Sequence, residues 1–221
     1  MERMKLQHPL AGNNAVSTAA LRTDLSAAAK GQDLGQTSWK VQRRHECSPL
    51  SGRIQSLLEA MTGDPCFVRR GVLLEHAPGT LNPVTWVDCL AVTPFGVFVV
   101  DQYDWTGTVT RSSSEEEVVL HEKPGVVSIQ TSPLRRAKPA LRYLRSVVGH
   151  CGCPVESIAV FADSSCTLDP ALPVNLLQAI ELRHFMRSRL NQFRDSHARF
   201  AAAANIAANL QSRTADWGEG G

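Results

Sequence analysis

Residues 84–107 have the sequence VTWVDCLAVTPFGVFVVDQYDWTG, which indicates more about the architecture than any other segment. The apolar runs TWVDCLAV and VFVVDQY flank the short turn TPFG, so the segment predicts two adjacent strands. Each run carries an acid, Asp88 in the first and Asp101 in the second. A carboxylate among such apolar side chains is costly to bury unless it is paired or holds a cation. The segment therefore predicts a metal site, or the remains of one, at Asp88 and Asp101.

The surrounding segments predict an α/β fold in which a central mixed β-sheet is flanked by helices. Upstream, residues 51–61 predict a helix with Ser51 as its N-cap, and residues 66–76 predict a strand. A later helix is expected to begin at Ser132-Pro133, and Pro139 should kink it or delay its start. The other predicted elements are strands at 107–112, 117–120, 155–163 and 173–179, and helices at 180–193 and 196–211.

Composition divides the chain into a flexible N-terminal arm at 1–45, a folded domain at 48–212 and a loose tail at 213–221. The formal net charge is +2, so total charge argues for neither nucleic acid nor membrane. No run has the length of a membrane span and the N-terminus lacks an apolar signal core, so we expect a cytoplasmic location and no membrane. The six cysteines are expected to be free thiols, with a structural metal as the alternative.

The segment DCLAV–TPFGVFVVDQYDWTG resembles the core of the nuclease-related domain (NERD) family, and SPLRRAKPALRYL at 132–144 is similar to that family's Asn-Pro-x-x-Gln helix entry. The likeness covers roughly residues 50–180. The resemblance implies a restriction-endonuclease-like fold and metal-dependent cleavage of nucleic acid. It places Asp88 and Asp101 as the acids that hold Mg²⁺, and Tyr103 at the catalytic lysine position, with Gln102 or Tyr103 to orient water or phosphate.

Three departures from the family pattern indicate impaired catalysis. Tyr103 replaces the lysine and is neutral near pH 7, while Arg53 and Arg136 replace a glutamate and a glutamine. An active Mg²⁺-dependent nuclease is the alternative if Arg53, Arg111 or Lys123 supplies a relocated cation. The plainest alternative is a polar strand end, in which each acid is bonded to a turn amide or a nearby arginine.

A basic stripe on the predicted helix after Ser132 is the candidate nucleic-acid contact. Its members recur at spacing 3-4-3 and are Arg135, Lys138, Arg142 and Arg145. A solvated helix face explains the same pattern. The C-terminal helices carry apolar residues at helical spacing, which form core or bind a protein partner or a second copy.

The resemblance and its departures predict a catalytically impaired nuclease-related protein that binds nucleic acid or a protein partner, and the resemblance implies a setting in bacterial DNA metabolism or mobile-element transfer. The alternative is a non-catalytic scaffold on the same fold. In that case Asp101, Tyr103, Asp104 and Trp105 form an exposed recognition surface, because Tyr and Trp are common in binding hot spots.

Overall fold

The structure is a computed structural model that describes residues 50–80, 83–196 and 201–212 of the chain. The helices in this part are α1 (Leu50–Thr62), α2 (Pro133–Val148), α3 (Leu182–Ser196) and α4 (Ala203–Gln211), with a 3₁₀ turn at Gly149–Cys151. The strands are β1 (Phe67–Glu75), β2 (Val84–Thr93), β3 (Gly96–Tyr103), β4 (Gly107–Arg111), β5 (Glu117–Lys123), β6 (Val126–Thr131), β7 (Val155–Phe161), β8 (Cys166–Leu168) and β9 (Leu176–Gln178).

The strands form two sheets. The larger has the order β1-β2-β3-β7-β9, with antiparallel pairing among its first three strands and parallel pairing from β3 through β7 to β9. The smaller has the order β6-β5-β4-β8, and its β4–β8 pair is parallel. The predicted α/β class with a mixed sheet and flanking helices is confirmed. The prediction did not divide the strands into two sheets.

The five-stranded sheet carries helices on both faces. Along β2, Leu90 and Val92 pack with α2 and α4, whereas Cys89 and Ala91 pack with α1 and α3 on the opposite face. A strand that is buried on both sides needs apolar residues at successive positions, and this requirement accounts for the unbroken run VFVV at 97–100 of β3. The packing on both faces therefore holds β2 and β3 within the middle of the sheet.

The helix entries differ in detail from the predictions. Ser51 lies inside α1 with its hydroxyl buried and unpartnered, so its prediction as an N-cap is wrong. Helix α2 does begin at Pro133, although Ser132 makes no side-chain capping bond. The main chain of Ser132 fixes this start instead, because its N–H donates to the Glu116 carbonyl (2.9 Å) and its carbonyl accepts from Arg136 N–H (3.1 Å). Pro139 lies within the continuous helix, so the predicted delay is wrong.

The C-terminal helices pack on the domain itself. The buried residues of α3 and α4 are Leu182, Phe185, Met186, Leu190, Ala203, Ile206, Ala207 and Leu210. A partner or homodimer through these helices stays a prediction, and so does the cytoplasmic location. The arm at 1–45, the tail at 213–221 and residues 197–200 of the predicted last helix lie outside the described residues. None of the helices described has both the length and the apolar character needed to cross a bilayer.

Candidate active site

Asp88 and Asp101 lie where the backbone pairing of β2 and β3 ends. The ladder runs from Thr93 opposite Gly96 to Cys89 opposite Val100, and the two acids are the next residues on each strand. The main-chain N–H of Asp88 donates to Asp101 Oδ1 (3.2 Å), and that of Gln102 donates to Asp88 Oδ2 (2.9 Å). The carboxylates thus replace the ladder bonds, and the structure brings the two acids together across one strand junction.

The second oxygen of Asp88 is held by an indole. Trp86 Nε1 donates to Asp88 Oδ1 (3.0 Å), so both oxygens of this carboxylate accept a protein hydrogen bond. The Trp86 ring lies over Gly71, whose φ is +57° and where an added Cβ would stand 2.8 Å from the ring. A glycine at this position on β1 is therefore needed for Trp86 to orient Asp88.

The electrostatic surroundings of Asp101 disfavour its charged form. Burial, followed by the negative charge of Asp88, raises the pKa of Asp101 from 3.8 to about 7, against the opposing effects of the Asp88 N–H and the Arg136 charge. The junction therefore concentrates negative charge that the protein compensates only in part.

The donor set suits a hard cation. Carboxylate oxygens are the ligands that Mg²⁺ prefers, and an added cation would relieve the repulsion between Asp88 and Asp101. Asp88 and Asp101 are the residues that would hold it. Within the described part of the chain, no cluster of three or more His, Cys, Asp or Glu residues is placed for metal binding.

Tyr103 is a packed core residue. It is 8% exposed, its ring stacks on Phe161 with centroids 5.6 Å apart, and it meets Trp105 edge-on at 5.2 Å. Burial and then the charge of Asp101 raise the pKa of Tyr103, while Arg136 opposes the shift. Tyr103 shares the strand face of Asp101 because side chains alternate along β3. Its burial shows that the predicted exposed recognition surface is wrong at this residue.

Gln102 contributes its main chain to the site. Its N–H holds Asp88, whereas its side-chain amide donates to Asp104 Oδ1 (2.9 Å). Successive side chains of a strand point to opposite faces, so the Gln102 side chain lies on the face away from Asp101. The expectation that this side chain orients water or phosphate is therefore not supported by its position.

Arg136 supplies the positive charge beside the acids. Its guanidinium carbon lies 5.8 Å from the centre of the Tyr103 ring, and it also hydrogen-bonds to Tyr103. Its charge lowers the pKa of both Asp101 and Tyr103 against the effect of burial. The sequence indicated Arg136 only as a departure from the family glutamine. The signal available was its place in the first turn of a helix that starts directly after a strand.

The three cations predicted as replacements for the lysine lie elsewhere. Arg53, Arg111 and Lys123 are exposed on α1, β4 and β5. The charges that shift the pKa of Asp101 come from Asp88 and Arg136. The structure therefore moves the candidate cation from those three residues to Arg136.

The basic stripe of α2 is partly occupied by contacts within the chain. Arg135 and Lys138 both form ion pairs with Glu116, the latter at 3.1 Å. Arg145 Nη2 donates to the first carbonyl of β7 (3.0 Å), while Arg142 is exposed. The stripe thus exists as a helix face, but three of its four members already have partners.

A comparison with known protein families identifies one that matches this chain. The family model described as nuclease-related domain matches residues 52–162, just over half of the 221-residue chain. The matched range contains all of α1 but its first two residues, together with β1 to β7 and α2, and therefore Asp88, Asp101, Tyr103 and Arg136. No curated protein and no solved structure matches the chain. The family model confirms the resemblance: this chain belongs to the nuclease-related domain family.

Proposed function

We propose that this protein acts on the phosphodiester backbone of nucleic acid through a divalent cation held by Asp88 and Asp101. The observation that supports the proposal is a pair of carboxylates that accept main-chain N–H groups where the β2–β3 ladder ends, and whose charges are only partly compensated. Mg²⁺, when bound, polarises a phosphate oxygen and lowers the pKa of a water molecule. The proposed setting is bacterial DNA metabolism or mobile-element transfer.

The residues around the acids have separate roles in this proposal. Trp86 and the Gln102 N–H fix the orientation of Asp88, since each donates to one of its oxygens. Tyr103 fills the lysine position without charge and packs against the guanidinium of Arg136. Arg136 takes over the positive charge, because a guanidinium binds phosphate oxygens in a fixed fork geometry.

We expect hydrolysis at this site to be slow. A lysine on β3 would present a compact ammonium next to Asp101, whereas Arg136 reaches the site from α2 and lies over Tyr103. We therefore propose an impaired nuclease with a relocated cation; an inert polar strand end would share the N–H bonds and the nearby arginine, and it differs in binding no metal ion.

Metal binding is tested by calorimetry with Mg²⁺ and Mn²⁺. Wild-type protein should bind one ion, and the double variant Asp88→Asn/Asp101→Asn should not, because amides are weak ligands for these ions. Asp104→Asn is the matched control, since Asp104 is an exposed acid next to the site. Equal binding by wild type and the double variant would remove the proposed site.

Hydrolysis is tested with labelled single-stranded and double-stranded DNA and RNA. Arg136→Gln should lower the cleavage rate by about 10², and Arg136→Lys should recover part of it. Both variants should bind metal as wild type does. Arg142→Gln, an exposed cation on the same helix, is the control and should cleave normally. A rate that Arg136→Gln leaves unchanged would exclude Arg136 from the chemistry.

A second candidate is nucleic-acid binding without cleavage. The burial of Tyr103 favours it, because the aromatic cluster occupies the place of the catalytic lysine. Fluorescence anisotropy with labelled DNA in Mg²⁺ and in EDTA separates the two. Binding that needs the acid pair and Mg²⁺, with intact substrate after prolonged incubation, would support this candidate over hydrolysis.

A further inference from the structure

Strand β6 leaves one side of the smaller sheet open. It pairs with β5 on one side and ends the order β6-β5-β4-β8. No backbone hydrogen bond from another described residue reaches its outer side. Its sequence, VVSIQT, has no charge, and it exposes Val126 (49%), Val127 (57%) and Ile129 (66%). An uncharged apolar edge of this kind is a template for another strand.

The other sheet edges in the described part of the chain carry the usual protection against such pairing. Edge strand β1 contains Arg69, Arg70 and Glu75, and edge strands β8 and β9 have only three residues each. Charges and shortness both discourage the addition of a strand. Strand β6 has neither, which singles it out among these edges.

The open edge is also complementary to itself. Val127 and Ile129 lie on the outer face of the sheet, where Ile129 stands opposite Val119 of β5. Antiparallel pairing of two β6 strands about Ser128 would place Val127 opposite Ile129 of the partner subunit, twice by symmetry. A neutral Ser128 would lie on the two-fold axis, so no charged residue would meet its own copy there.

We propose that β6 binds β6 of a second copy of this chain, which joins the two smaller sheets into one continuous sheet. The contact consists of one six-residue strand and two Val–Ile pairs per dimer. It is smaller than a standard stable interface, so we expect a dissociation constant on the order of tens of micromolar.

Sedimentation velocity on the full chain tests this dimer from about 1 to about 300 µM. Wild type should shift from monomer to dimer with concentration, and Ile129→Lys should raise the dissociation constant at least about tenfold. Val127→Lys, on the same face, should repeat that effect. Ile180→Lys is the control, because Ile180 is 83% exposed in the turn before α3 and outside both sheets.

Several outcomes would overturn the proposal. They are a wild type that stays monomeric at the highest concentration, assemblies larger than a dimer, and an equal loss of association in Ile180→Lys and Ile129→Lys. Circular dichroism of each variant separates loss of pairing from loss of fold. All three substitutions replace exposed side chains, so their spectra should match the wild type.

Discussion

Replacing Asp101 by Asn should stabilise the protein above neutral pH while it removes the proposed cation site. Burial and the charge of Asp88 raise the pKa of Asp101 from 3.8 to about 7 in the folded protein. An acid whose pKa is raised by folding contributes stability that is complete below about pH 4 and is lost as the pH rises through about 7. Asparagine keeps an oxygen to accept the Asp88 N–H, but it carries no charge at any of these pH values.

The size of the effect follows from the pKa difference. A rise in pKa of about 3 lowers the free energy of unfolding by at most about 4 kcal/mol at pH values well above the pKa of both the folded and the unfolded protein. Asp101 is partly exposed, so we expect Asp101→Asn to gain about 2 to 4 kcal/mol at pH 8 and almost nothing at pH 4. For a domain of this size that gain raises Tm by roughly 5 to 15 °C.

Thermal unfolding in EDTA between pH 4 and pH 8 measures this difference directly. The Tm of Asp101→Asn should exceed that of wild type by a margin that grows with pH. Adding Mg²⁺ at pH 8 should raise the Tm of the wild type but not that of Asp101→Asn, because a ligand stabilises only the protein that binds it. Asp104→Asn should follow the wild type throughout. A Tm for Asp101→Asn at pH 8 equal to or below that of wild type would refute the reasoning.

Three further substitutions test the surroundings of the site. Glu116→Gln should release the two α2 cations that it pairs with, so anisotropy should show several-fold tighter DNA binding with a steeper salt dependence. Unchanged affinity would exclude this end of α2 from the interface. Gly107→Ala should cost roughly 2 to 4 kcal/mol in urea unfolding, because its Cβ would lie 2.1 Å from the His121 carbonyl oxygen at a φ of +99°. Gly71→Ala should lower the free energy of unfolding by about 1 to 3 kcal/mol and weaken Mg²⁺ binding in calorimetry, since it displaces the Trp86 ring. Mg²⁺ binding at wild-type strength would show that Trp86 does not position Asp88.

The strand pair at the centre of the site could be predicted because its determinants are local. Alternating and continuous apolar residues define β2 and β3, and the short turn between them fixes their register. Once that register is set, Asp88 and Asp101 must be neighbours. Nothing beyond residues 84–107 was needed for this part of the prediction.

The parts that the sequence did not predict depend on contacts between distant segments. Arg136 reaches Tyr103 only because α2 packs beside β3, and Glu116 pairs with α2 only because the β4–β5 connection lies next to that helix. Strand β8, at Cys166–Leu168, is too short to show a period, and its pairing with β4 completes the second sheet. Tyrosine is a residue type that is common at binding surfaces, yet Tyr103 lies in the core because Phe161 and Trp105 pack around it.

The charge of the acid pair, rather than its shape, is the strongest indication of function. Asp101 accepts the Asp88 N–H through one oxygen, and an asparagine at position 101 could also accept it, so this hydrogen bond does not require a charge. The negative charge strengthens the bond from the Asp88 N–H, but burial and the charge of Asp88 outweigh this gain, so the charged form of Asp101 opposes folding near neutral pH. Arg136 compensates part of that repulsion from α2, which an uncharged junction would not need. A bound cation would neutralise the remaining charge. The Asp101→Asn variant should therefore gain stability and lose cation binding.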